Sequence, residues 1–143
     1  MSRVLLLAAF FCASAWAGDF RSVGEAGGVL YDGPSREATA LYVVSKDYPL
    51  EVIVHTGGWA KVRDHTGALS WIEIQSLGDR HTVVVTAPTA EARQRPEEAA
   101  PVSFAAAQDV ALELLESVPG GWLHVRHADG ADGYLQSSLV WGQ

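Results

Sequence analysis

Residues 57–71 read GGWAKVRDHTGALSW. A glycine pair is followed by Trp59 to Arg63, a short run in which apolar and polar residues alternate. Asp64-His65-Thr66-Gly67 is a turn signal, and Leu69 to Ile74 resumes the extended pattern. A period of two over both runs predicts a β-hairpin with one buried face. The stretch recurs without a gap at 120–134 as GGWLHVRHADGADGY. Gly57, Gly58, Trp59, Val62, Arg63, Gly67 and Ala68 return as Gly120, Gly121, Trp122, Val125, Arg126, Gly130 and Ala131, while Tyr134 takes the place of Trp71. Trp71 and Tyr134 are expected in the core.

The match extends upstream. PLEVI at 49–53 sits on ALELL at 111–115, and VLYDGPSREA at 29–38 is placed on VVVTAPTAEA at 83–92. The separation between copies then runs from 54 to 62 to 63 residues, which calls for one larger and one single-residue insertion in the second copy. The larger is placed near 93–101, where RQRPEEAAP is charged and proline-containing, as a mobile loop would be. A repeat of this length is a domain-sized unit rather than a solenoid turn.

Both units read as all-β. Leu50, Val52 and Val54 alternate with Glu51, Ile53 and His55, and Thr82 to Thr86 is a β-branched run able to close the first unit while opening the second. Ala105 to Ser117 has helical composition, but its alignment with PLEVI predicts a strand from about Val110.

These residues together resemble the bacterial SH3-like (SH3b) domain family. The first copy carries Gly33-Pro34-Ser35, Leu50-Glu51-Val52, Gly58-Trp59, Val62-Arg63-Asp64, Gly67 and Trp71-Ile72, with Ser70 where the family usually has glycine. The second keeps Pro88, Gly121-Trp122, Val125-Arg126, Asp129-Gly130 and Gly133-Tyr134, with Ala87 at the place assigned to the Gly-Pro-Ser glycine. The resemblance implies two tandem small SH3-like β-barrels, each nominally five-stranded, over residues 18–78 and 79–143. It implies an exported protein that attaches to peptidoglycan or to a peptide of an envelope protein. Catalysis in such proteins belongs to a separate attached domain, and no enzymatic activity is expected of these two units.

Candidate binding residues follow from aromatic placement. Trp59 and Trp122 each follow a glycine pair, where the SH3 fold carries a ligand-stacking tryptophan; packing over the barrel is the alternative. Tyr31, Tyr42 and Tyr48 are placed beside Trp59 as a possible groove lining, with ordinary barrel packing as their alternative. VLYDG is similar to the signature of eukaryotic SH3 domains. The segment Glu73-Ile74-Gln75-Ser76-Leu77 lacks the proline and tyrosine that a polyproline groove needs.

His124 and His127 form H-x-x-H, but residues three apart on a strand face opposite ways. Asp129 to Gly133 lacks calcium-loop spacing. There is no G-x-S-x-G elbow, P-loop or H-E-x-x-H. No catalytic residue, metal ligand or cofactor is expected.

Arg3, the apolar run Val4 to Cys12 and Ala15-Trp16-Ala17 read as a secretory signal peptide over residues 1–17, giving a secreted or periplasmic protein without stable membrane insertion after cleavage. Cleavage there removes Cys12, the single cysteine, so no disulfide is expected. The whole chain has 17 Asp and Glu against 10 Lys and Arg; loss of Arg3 leaves 9 and a net charge of −8. Such a balance argues against a nucleic-acid partner, whose phosphates are held by Lys and Arg.

Overall fold

The computed structural model describes residues 18–143, and the leader assigned to residues 1–17 lies outside them. The described chain forms two separate antiparallel sheets. The first holds β1 (Asp19–Val23), β2 (Gly28–Tyr31), β3 (Ala40–Val44), β4 (Pro49–Thr56), β5 (Trp59–Arg63), β6 (Leu69–Glu73) and, after a 3-10 turn at Ile74–Ser76, β7 (Leu77–Gly78). The second repeats the order with β8 (Thr82–Val85), β9 (Thr89–Arg93), β10 (Val102–Ala107), β11 (Ala111–Val118), β12 (Trp122–Arg126), β13 (Asp132–Gln136), a 3-10 turn at Ser137–Leu139 and β14 (Val140–Trp141). Spatial orders are β3-β2-β6-β5-β4-β1-β7 and β10-β9-β13-β12-β11-β8-β14, seven segments each. Each sheet thus holds two segments more than the family's nominal five.

Alternation along the strands builds each core. In the first barrel Leu50, Ala60, Val62 and Ile72 are fully buried, with Val23, Leu30, Val44 and Val52 around them. The second buries Val83, Val85, Ala90, Leu112, Val125 and Leu135. Each fully buried leucine or isoleucine contributes roughly 1.5–3 kcal/mol. Trp71 and Tyr134 belong to neither core, contrary to the sequence expectation. Ser70 and Ile72 point inward on β6, so Trp71, between them, stands on the outer face, with the Lys61 ammonium 6.0 Å from its ring. Tyr134 lies between the buried Gly133 and Leu135 and stacks on His124, ring centres 4.5 Å apart.

The strand pairings correct the upstream alignment. Tyr31 pairs with Trp71 and Arg93 with Tyr134, so Arg93, not Val85, is the counterpart of Tyr31, at a separation of 62. The hairpin loops share the same bonds: Ser35 N to Gly33 O and Ala38 N to Ser35 O, then Glu97 N to Arg95 O and Ala100 N to Glu97 O. Arg95-Pro96-Glu97 is therefore the counterpart of Gly33-Pro34-Ser35, and residues 93–101 hold no insertion. The copies differ in length by one residue in the β11–β12 turn. Thr56 pairs with Trp59 across Gly57-Gly58, whereas Val118 pairs with Trp122 across Pro119-Gly120-Gly121. Gly57 takes a φ of +58°, and Gly120 and Gly121 take +90° and +83°, a region open to glycine at little cost. Residues 105–117 contain no helix: Ala105 to Ala107 end β10 and Ala111 begins β11.

β8 does not join the first sheet, which is closed by β7 pairing with Ser22 and Val23. Instead it is buried on both faces. Val83 and Val85 fill its own barrel, while Thr82 and Val84, facing the other way, are 2% and 0% exposed. Thr82 Oγ1 donates to Asp47 O at 2.6 Å, and Phe20 packs edge-on against Trp141, ring centres 5.2 Å apart. Gly142, at φ +123°, leaves no room for a Cβ between Thr82 O and the Pro49 ring. A barrel of about sixty residues buries only ~60% of its unfolded surface, so this seam adds core that neither unit has alone.

Candidate functional site

Trp59 begins β5, where the neighbouring Ala60 occupies the core side, so its indole emerges on the outer face. Tyr31, the last residue of β2, meets it edge-on with ring centres 5.4 Å apart and planes at 85°. On the free side of Trp59 an open groove of about 670 Å³ runs between the Pro34–Glu37 loop and the Gly57-Gly58 turn, floored by Glu73 and Ile74. A Cβ on Gly57 or Gly58 would meet nothing within 4 Å, so this wall is low and open to an extended ligand.

The polar part of the groove is an ion pair. Arg36 Nε and Nη2 donate to Glu73 Oε1 and Oε2 at 2.6 and 2.9 Å, and Gln75 Nε2 donates to the same carboxylate. Two parallel bonds fix both the distance and the plane of the guanidinium. The Arg36 hydrogen bonds hold the Glu73 carboxyl below the usual carboxylate range, and Glu73 in turn pushes Arg36 up. The groove thus combines an aromatic face, a fixed guanidinium and exposed backbone. Those groups can stack on a flat or small segment and hydrogen-bond a peptide.

Of the five aromatics singled out from sequence, Tyr31 and Trp59 come together here. Tyr42 lies on β3 at the open edge of the sheet, largely exposed and outside the groove. Tyr48 packs on the first core instead, its hydroxyl hydrogen-bonded with His65 Nδ1. Burial, then the nearby Asp64 charge, pushes its hydroxyl up to about 12. Trp122 is the Trp59 counterpart and lines a groove of its own in the second barrel. Arg36, Glu73 and Gln75 carried no sequence signal, since charged residues at turns and strand ends are usually solvated. His124 and His127 take separate carboxylates, Asp132 at 2.7 Å and Asp129 at 3.2 Å.

Among the described residues no helix is long and apolar enough to cross a membrane. Two antiparallel barrels with their hairpin loops flanking a tryptophan-walled groove define a tandem SH3-like protein. The bacterial SH3 domain family matches residues 24–79 and 86–142, and the chain belongs to that family. No curated protein matches the sequence. Among solved structures the chain is similar to NlpC2 from Trichomonas vaginalis, with 16% identity, 89% of this chain and 49% of that one covered, and a TM-score of 0.39. NlpC1 from the same organism gives 16% identity, 92% and 48% coverage, and a TM-score of 0.38. The chain spans about half the length of either structure.

Proposed function

We propose that this protein is an exported, non-catalytic binding or adaptor module of the cell envelope. Its first-barrel groove takes a short peptide, either a peptidoglycan stem peptide or a segment of a partner protein. The observation that carries the reading is the half-buried Trp59, held on the outer face by Tyr31 and opening onto a groove whose one guanidinium is fixed by Glu73. An indole fixed in this way offers stacking area at little entropic cost. With an acidic chain, attraction to an anionic wall polymer is not the source of affinity; stacking and hydrogen bonds are.

The test is retention of the whole chain on purified sacculi beside capture from an envelope extract, each with wild type and Trp59→Ala. Loss of retention in the variant, at unchanged fold, is the expected result. Equal retention of both proteins on sacculi and in extract would overturn the groove assignment. Mass spectrometry of the protein from its host should find an N-terminus at Gly18, and an intact Met1 would overturn export by cleavage.

A second reading, assembly with a partner protein and no small ligand, is favoured by β3. This edge strand leaves Leu41, Tyr42 and Val43 exposed, the last at 83%. Such an edge is a template for strand addition. Capture from extract that survives Trp59→Ala but not Val43→Lys would select it.

A further inference from the structure

The second barrel carries a groove in the same place with its chemistry rearranged. At a separation of 62, Arg93 stands for Tyr31 and Glu98 for Arg36; at 63, Gln136 stands for Glu73. Each exchange has a consequence. In the first barrel the Tyr31 ring packs edge-on against Trp59 and lines a smaller cavity that Trp59 does not reach. In the second barrel, where no such ring stands, Trp122 lines two cavities of about 520 and 470 Å³ that share Glu98, Trp122 and Gln136 as walls. Arg93 lines the larger cavity, but Glu91 and the Ala100 carbonyl hold its guanidinium at 2.7 and 3.2 Å.

The second consequence is electrostatic. The Arg36–Glu73 pair of the first groove is internally neutral, and the further carboxylate there, Glu37, accepts a hydrogen bond from the Ser35 hydroxyl instead of standing beside an amide. The counterpart of that pair joins Glu98 to the neutral amide of Gln136, with Gln136 Nε2 donating to Glu98 Oε1 at 2.8 Å. Glu91 has Arg93 and Glu97 has Arg95, but no Lys, Arg or His among the described residues is bonded to Glu98. With Arg93 offset by Glu91 and Glu97 by Arg95, the Glu98 carboxylate, oriented by an amide, is the charge left over where both cavities meet the indole.

A carboxylate beside an aromatic face is a receptor for a cation. The two cavities together have room for a short peptide, and Gly120, Gly121, Ser137 and Ser138 offer polar contacts along the second. We propose that the second groove binds a peptide segment bearing a primary ammonium, with the ammonium between Glu98 and the Trp122 face. This site is separate from the Trp59 groove and stands or falls independently of it.

The experiment is a titration of the whole ¹⁵N-labelled chain with N-acetyl-Gly-Gly-Lys amide, whose lysine side chain carries its single ammonium, read at the tryptophan indole N–H signals. The Trp122 signal is assigned from Trp122→Phe. The Trp122 signal is expected to shift saturably while Trp59 stays in place, and the shift should weaken with added salt. Acetylation of the lysine side chain should lower affinity roughly three- to tenfold or more. Glu98→Gln, a change at an exposed position, should reduce binding of the free-amine peptide to the level of the acetylated one. Equal affinity for the two peptides, unchanged binding by Glu98→Gln, or a Trp122 signal that never moves would overturn the proposal. So would a response to glucosamine but not to the lysine peptide, which would make the site one for an amino sugar.

Discussion

The two barrels have one backbone and two grooves. Their registers coincide over β1–β4 and β8–β11, down to a bulge after Val52 and after Leu114. Asp47 and Asp109, 62 residues apart, both adopt left-handed conformations at φ 69° and 70°. Around the tryptophans, though, a tyrosine became an arginine, an arginine a glutamate and a glutamate a glutamine. Inward positions are bound by volume and by each other, while groove positions answer only to whatever occupies the groove.

The cores show the same contrast in a different form. Leu30 and Ala60 flank Ile72 in the first barrel; their counterparts are Ala92 and Leu123 around Leu135. Large and small have exchanged places at constant total volume, the substitution pattern that packed interiors tolerate best. Compensation of this kind keeps the fold while erasing the residue-by-residue match.

The seam offers the largest test of how separate the barrels are. Val84 is buried outside its own core, so Val84→Asp places an unpaired charge there and should cost ~3–5 kcal/mol. Calorimetry of the wild-type chain should give one transition; the variant should give two, the first barrel keeping its own core. Two separated transitions in the wild type would show that the seam carries no stability.

The core exchange comes next. Leu30→Ala should cost ~2–5 kcal/mol in chemical denaturation. Adding Ala60→Leu, which copies the second barrel, should recover ~1–2 kcal/mol through Ile72. A double mutant no more stable than Leu30→Ala alone would mean that the barrels solved their packing separately.

Trp59→Ala should cost less, ~1 kcal/mol, because the half-exposed indole loses chiefly its contact with Tyr31. A loss of several kcal/mol in thermal melts would place Trp59 among the core residues and end its role as a platform.

The smallest effect distinguishes the barrels only in alkali. Tyr48 has Val110 as its counterpart, so this half-buried, core-packed phenol has no equivalent at that place in the second barrel. Its folded pKa is raised to about 12 from 10.0, so the unfolded chain loses the proton first. Stability should be unaffected below pH ~10 and decline as pH rises toward ~12. Tyr48→Phe should flatten that decline, measured by urea midpoints across the range; an unchanged slope would show that the hydroxyl titrates normally.

Much of the architecture was legible in the residues. The duplicated Gly-Gly-Trp hairpin, the alternation of Leu50 with Glu51 and the turn glycines specify strands and their repeat, because these signals act between near neighbours. The true counterpart of Gly33-Pro34-Ser35 was not legible. Arg95-Pro96-Glu97 shares only the proline, and Ala87-Pro88-Thr89 looks closer as text; the pairing of Arg93 with Tyr134 decides otherwise. The site divides the same way. Trp59 and Trp122 stood out from their position after a glycine pair. Trp71 and Tyr134 were misplaced, since alternation tells which residues share a face but not which face is inside. Arg36 with Glu73, and Glu98 with Gln136, are 37 and 38 residues apart and meet only when the hairpin loop folds over the end of the sheet. Strands, turns and duplication are written in neighbouring residues and are local in origin. Which face of each strand is buried, which charges meet across a groove, and the cover of β8 on both sides arise only in the folded chain. Those outcomes depend on closure of the barrels, which brings distant residues together through packing that no short stretch encodes.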